Sequence, residues 1–220
     1  MLILAYITKN GTIDMALNFE QINHVLLDMD GTLLDASYDN YLWEDVLPRA
    51  YSHSQGISLV DAIDYMKSNI ISSSGSLNAY CFNYWSDLLQ LDMLKYHIAY
   101  KEGIKYRPYA EWFLKSLRGR GCQVIILTNA DRKNLELKMD QVGLGRYVSA
   151  AYSSQDVGYA KEQLQFWSSM QKHLGFSVER TLFIDDNSRV LQAAQQFGIQ
   201  NLFSISQPAV NGALNTCHAF

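Results

Sequence analysis

The chain has 220 residues, enough for one domain, or one domain carrying an inserted module, built around a sizeable core. Apolar residues make up 48%, charged residues 18%, and only 3 are proline, which excludes a disordered, collagen-like or low-complexity chain. Lys and Arg number 18 against 22 Asp and Glu, a net charge of −4 without the basic run that nucleic-acid polymers or anionic membranes attract, so the expected partner is a small molecule.

No apolar run approaches a membrane-spanning length, and residues 1–6 are too short and uncharged for a signal peptide. Met15 is a candidate biological start, which makes 1–14 an extension or a frayed tail. Residues 23–27 are a short apolar run ending at Asp28, with Gly31 close behind, and predict a buried strand entering a tight turn. From about residue 35 to 106 the text is helical. Ser58 and Asp61 read as a capping box, 78–89 is aromatic-rich, 92–100 carries Leu94 and Ile98, and the serine-rich 72–76 reads as a loop.

Alternation begins after that interval. Pro108 is expected to start a helix with Trp112, Phe113 and Leu117 inward, stopping at Gly119 or Gly121. Strands follow at 123–127, 148–153, 181–184 and 199–204, separated by helices at 134–142, 161–174 (with Leu164, Trp167, Met170 and Leu174 inward) and 188–197. This order predicts an α/β fold: a Rossmann-like, mostly parallel sheet with helices on both faces and its ligand site at the carboxyl ends of the strands. Cys81, Cys122 and Cys217 form no zinc or disulfide pattern, and the expected compartment is a reducing cytoplasm.

The chemistry concentrates at strand ends. In Asp28-Met-Asp30-Gly31-Thr32, carboxylates two residues apart on extended chain share a face and enter one pocket. Like charges in a partly desolvated site demand a cation, a shared proton or both. The plain alternative is a pair of exposed turn residues with Gly31 supplying the bend. A calcium loop fits poorly, because Gly31 follows the second Asp directly and no helix precedes it. Asp185-Asp186 repeats the pattern, and Thr128 closes the 123–127 run.

The ordered set of Asp28-x-Asp30-Gly31-Thr32, Thr128, Lys161 and Asp185-Asp186 resembles the four motifs of the haloacid dehalogenase superfamily, over roughly residues 20–206. The resemblance implies a phosphatase in which Asp28 is the nucleophile, Asp30 the general acid and base, and Thr128, Asn129 and Lys161 the phosphate-binding group. It implies Mg²⁺ held by Asp28, Asp30 (through its carbonyl), Asp185 and Asp186, with Asp186 coordinating directly and Asp185 through water. It further implies a core at 16–36 and 106–220 and an inserted helical cap at 37–105, hinged near 34–37 and 103–107. The second Asp of the first motif points to phosphomonoester chemistry, by hydrolysis or as a mutase, rather than to dehalogenation.

A finer resemblance rests on Leu26 through Asp35, Asp39-Asn40-Tyr41-x-Trp43, Leu77-Asn78-x-Tyr80-Cys81-x-x-Tyr84-Trp85-Ser86, Gly158-Tyr-x-Lys-Glu162 and Arg180 through Asp186. These residues are similar to a nucleotidase branch of the superfamily, which implies purine 5′-monophosphates, GMP and IMP, as substrates. Asn40, Trp43, Asn78 and Tyr84 are then the candidate contacts to the leaving group. Ala160 departs from that branch, which has Pro there, and the family's frequent Lys-Pro is here Lys161-Glu162. The alternative on the same scaffold is a sugar-phosphate phosphatase or phosphomutase; a non-catalytic binding protein is disfavoured because all four chemical positions are filled.

Overall fold

A computed structural model describes residues 4–6 and 19–209. Five parallel strands, β2 (His24–Leu27), β3 (Gln123–Thr128), β4 (Ala150–Ser153), β5 (Thr181–Asp185) and β6 (Asn201–Ile205), form the sheet, and β1 (Leu4–Tyr6) adds an antiparallel edge beside β6. Part of the segment expected to be a frayed extension is therefore paired; Met15 and Cys217 lie outside the described residues. The order β1-β6-β5-β2-β3-β4 puts β2 at the centre, where the chain reverses its direction of travel across the sheet. In such sheets the carboxyl ends of the strands flanking that point form the ligand crevice.

The strands read as continuous apolar runs because both faces are covered. Val25, Leu27, Val124, Ile126, Leu182 and Ile184 point to one side. There they meet α6 (Ala110–Leu117), Leu135 of α7 (Arg132–Val142) and Tyr38 and Leu42 of the insert. Leu26, Ile125, Leu127 and Phe183 point to the other side, against Phe166, Trp167 and Met170 of α8 (Leu164–Leu174) and Val190 and Ala194 of α9 (Ser188–Phe197).

Between Asp35 and Tyr106 the described residues are helical. A single rod runs from α1 (Ser37–Tyr41) through a π-helical turn at Leu42–Val46 into α2 (Leu47–Gln55); α3 (Leu59–Ser73), α4 (Phe82–Leu89) and α5 (Met93–Ala99) follow. Ser58 caps α3 by accepting from the Asp61 N–H at 3.1 Å. Leu47, Met66, Phe82, Trp85, Leu89 and Met93 make a third apolar cluster, separate from the two that flank the sheet. The two connections to the sheet lie side by side, with the Asp35 N–H on the Lys105 carbonyl and the Arg107 N–H on the Leu33 carbonyl, both at 2.9 Å.

Four local expectations are corrected. α6 starts at Ala110, because Tyr109 sits at φ 66°; its buried face is Ala110, Phe113, Leu114 and Leu117, and Trp112 is 68% exposed. α8 starts at Leu164, which is itself exposed, so Lys161 precedes the helix instead of heading it. α5 buries Met93 and His97, not Ile98. α3 continues to Ser73, which shortens the serine loop.

Candidate active site

β2, β3 and β5 are in register, Leu27 beside Ile126 and Ile184, so the residues just past them meet at one point. Carboxylate oxygens of Asp28, Asp185 and Asp186 all lie within 4.8 Å of one another. Asp28 and Asp185 are buried and Asp186 is half-buried. Gly31, at φ 79°, makes the approach of Asp186 possible: a Cβ there would lie 2.5 Å from Asp186 Oδ2 and 2.9 Å from Pro208 Cβ. The glycine thus supplies both the left-handed turn and the space.

Lys161 stands among these anions, 2% exposed. Its Nζ donates to Asp28 Oδ1 at 2.5 Å, Asp185 Oδ2 at 2.7 Å and the Leu127 carbonyl at 3.0 Å, which uses all three ammonium protons. Burial lowers the amine's affinity for its proton, but Asp185 and Asp28 outweigh it and hold Lys161 above its ordinary value, charged. Its backbone is pinned from both sides. The Lys161 N–H donates to Asn129 Oδ1 at 2.9 Å, and the Trp167 indole N–H donates to the Lys161 carbonyl at 2.8 Å. Position replaces helix geometry as the device that aims this lysine.

Burial raises the carboxyls. Asp28 is pushed well above its usual range by desolvation, against the pull of Lys161, and Asp185 is raised by the same cause. Desolvation and then the Asp185 charge push Asp186 up to about 7. Desolvation pushes Asp30 up to about 6, against Lys138. Asp28 Oδ2 is buried with no hydrogen-bond partner among the described residues, while Asp185 has both oxygens engaged, by Lys161 and by the Asn187 N–H at 2.7 Å. A cluster of hard oxygens that includes an orphaned buried carboxylate oxygen fits a divalent cation such as Mg²⁺.

The remaining predicted residues divide. Thr128 is buried on the cavity wall and its Oγ1 accepts from the Ala130 N–H at 3.0 Å; Asp131, three residues on, is the N-cap of α7. Asn129 also lines the cavity, but its side chain is held by Glu162, at 2.9 Å, and by Lys161, so it braces the site. Asn40 and Trp43 line the cavity; Asn78 and Tyr84 do not. Tyr84 instead packs edge-on against Trp85 in the apolar cluster of the insert.

Two residues were given no role from the sequence. Lys138, on α7, is 1% exposed and donates at 2.7 Å to Asp30 Oδ1 and to both oxygens of Asp39. Glu162 takes the Asn129 amide on one oxygen and the Tyr80 hydroxyl, at 2.7 Å, on the other. Together with the Phe82 N–H on Asp131 Oδ2 at 2.9 Å, these contacts tie the helical insert to the sheet around the site. The cavity between them holds about 420 Å³, with the carboxylates at its base and Trp43, Tyr80, Phe82 and Trp85 on its insert side.

Comparison with known proteins gives a consistent result. The family description of haloacid dehalogenase-like hydrolases matches residues 22–198. The chain is 36% identical over 190 residues to the GMP/IMP nucleotidase YrfG of Escherichia coli K12, covering 86% of each. Among solved structures, a HAD phosphatase from Thermococcus onnurineus superposes with a TM-score of 0.72 at 22% identity over 90% of both chains. A HAD family enzyme from Bacteroides thetaiotaomicron, solved as a variant with magnesium and inorganic phosphate, superposes with a TM-score of 0.62 at 14% identity over 89% of this chain and 100% of that one.

Proposed function

The chain belongs to the haloacid dehalogenase-like hydrolases and is a phosphoric monoester hydrolase; from that premise we propose that it is a Mg²⁺-dependent 5′-nucleotidase for purine monophosphates that works through an aspartyl-phosphate at Asp28. The observation that carries the mechanism is the convergence of Asp28, Asp185 and Asp186 around one buried point beside Lys161. The observation that carries the substrate is the 36% identity to a GMP/IMP nucleotidase over 86% of both chains.

Asp28 attacks phosphorus, forming a P–O bond as the bond to the leaving oxygen breaks. Asp30 gives its proton to that departing alkoxide, then takes one from the water that attacks the acyl phosphate; release of inorganic phosphate restores Asp28. A carboxyl held near 6 suits both halves of that exchange at neutral pH. Lys161 steers Asp28 through Oδ1 and offsets one anionic charge, and Thr128 lines the phosphate end of the cavity. Asp28 Oδ2, Asp186 and the Asp30 carbonyl would hold Mg²⁺, with Asp185, already spent on Lys161 and Asn187, acting through water. Bound there, the ion would neutralise the carboxylates and orient the incoming phosphate dianion.

In this reading 16–36 and 106–220 are the core and 37–105 is a cap, a division supported by the separate apolar cluster of the insert. Trp43, Phe82 and Trp85 give the leaving-group end an aromatic wall suited to a flat base, with Asn40 beside it. The free thiols of Cys81 and Cys122 agree with a cytoplasmic setting, and among the described residues no helix is long and apolar enough to cross a membrane. The test is phosphate release with Mg²⁺ across nucleoside monophosphates, sugar phosphates and small acid phosphates, with Asp28→Asn as control. GMP and IMP are expected to lead. Faster turnover of sugar phosphates would move the substrate to that class, and release undiminished by Asp28→Asn would overturn the mechanism.

A further inference from the structure

A lysine buried to 1% exposure is costly unless its charge is fully met. Lys138 meets it with two carboxylates from distant parts of the chain. Its Nζ lies 2.7 Å from Asp30 Oδ1, 108 residues away, and 2.7 Å from both oxygens of Asp39, 99 residues away. These three bonds exhaust its donors. The ammonium also sits 5.3 Å from the centroid of the Tyr38 ring, next to Asp39 on α1. Among the described residues none donates to Asp30 Oδ2, and Asp30 lines the cavity. One oxygen of the acid is therefore tethered and the other is left for the substrate side.

Asp39 opens the same helical rod that carries the cavity-lining Asn40 and Trp43. We propose that Lys138 is a positioning residue: by gripping Asp30 and Asp39 at once, it aims the Asp30 carboxyl at the leaving oxygen only while the first helix of the insert is seated on the sheet domain. Seating of the insert and orientation of the acid then become one event. If the insert lifts, Lys138 loses two of its three bonds and Asp30 loses its fixed partner geometry. The inference rests on Asp30 acting as the acid of the reaction.

That dependence sets the experiment. Protonation matters for an alkyl leaving group and little for p-nitrophenolate, a stable anion at neutral pH. The quantity to compare is kcat/KM with Mg²⁺ for GMP and for p-nitrophenyl phosphate, because it reports the first phosphoryl transfer and excludes the common second step. Asp30→Asn, Lys138→Met, Asp39→Asn and the Lys138→Met/Asp39→Asn double variant are measured together. Lys138→Met is expected to lower the GMP value about tenfold or more beyond its effect on the aryl ester, the scale of a misplaced catalytic group. Asp39→Asn, at a partly exposed position where the amide oxygen can still accept from Lys138, is expected to shift the ratio in the same direction, and the double variant to be no worse than Lys138→Met.

A lysine that serves stability alone would lower both substrates in equal ratio. Equal loss, or no loss, in Asp39→Asn and in folded Lys138→Met overturns the proposal, provided Asp30→Asn itself discriminates between the substrates. If Asp30→Asn shows no discrimination, the assignment of Asp30 as the acid has failed, and the proposal fails with it.

Discussion

At the scale of single residues, the site is a problem of anions in a poor solvent. Three carboxylates converge with one ammonium, so each substitution changes a charge that nothing nearby replaces. Asp30→Asn keeps the shape and removes the proton; kcat for GMP should fall by about 10²–10⁴, the usual worth of a positioned acid or base, in steady-state assays. Gly31→Ala should cost about 1–2 kcal/mol from the left-handed backbone alone. It should also weaken Mg²⁺ binding, measured by calorimetry, because the new Cβ would displace the Asp186 carboxylate. The acids, Gly31 and Thr128 were legible because strand-end placement forces them together. Lys138 was not: a lysine in mid-helix reads as solvated, and it is the packing of the insert over α7, with Asp39 on its ammonium, that removes it from water.

Elements act here as carriers that bring distant residues to one place. Sheet pattern was readable because both faces are apolar, and the capped helices at 188–197 and after Ser58 fell where their caps put them. The failures share a cause. Tyr109 takes a left-handed conformation that Pro108 gives no warning of, turning Trp112 outward, and Lys161 is held by Asn129 and Trp167, partners remote in sequence. The latter gives a prediction. Tyr80→Phe removes the hydroxyl from Glu162 and loosens the brace that continues through Asn129 to the Lys161 backbone. It should cost about 1–2 kcal/mol in denaturant unfolding and lower kcat for both GMP and p-nitrophenyl phosphate, since it acts on Lys161 and not on the leaving group.

For the molecule as a whole, the buried acids couple stability to pH and metal. Folding raises Asp186 from 3.8 to about 7 and Asp30 from 3.8 to about 6, so the folded chain holds more protons than the unfolded one across that window. Their contribution is fully present below about pH 4 and is lost as pH rises through 6 to 7. His97, which burial drives down to about 3, and His24, lowered by the same cause, run the other way below the ordinary 6.5, two groups against the four raised carboxyls Asp28, Asp30, Asp185 and Asp186. Metal-free protein should therefore lose melting temperature between pH 5 and 8, and Mg²⁺ should raise it more at pH 8 than at pH 5, as scanning calorimetry would show. A Mg²⁺ increment independent of pH would separate the ion from these carboxylates.

The most direct measurement is chemical capture of the covalent state. Protein mixed with GMP and Mg²⁺, quenched within one turnover and reduced with borohydride, should yield homoserine at position 28 in the peptide mass spectrum, and none in Asp28→Asn. Phosphate release in the same quench without modification at that position, or with modification at another residue, would contradict the account.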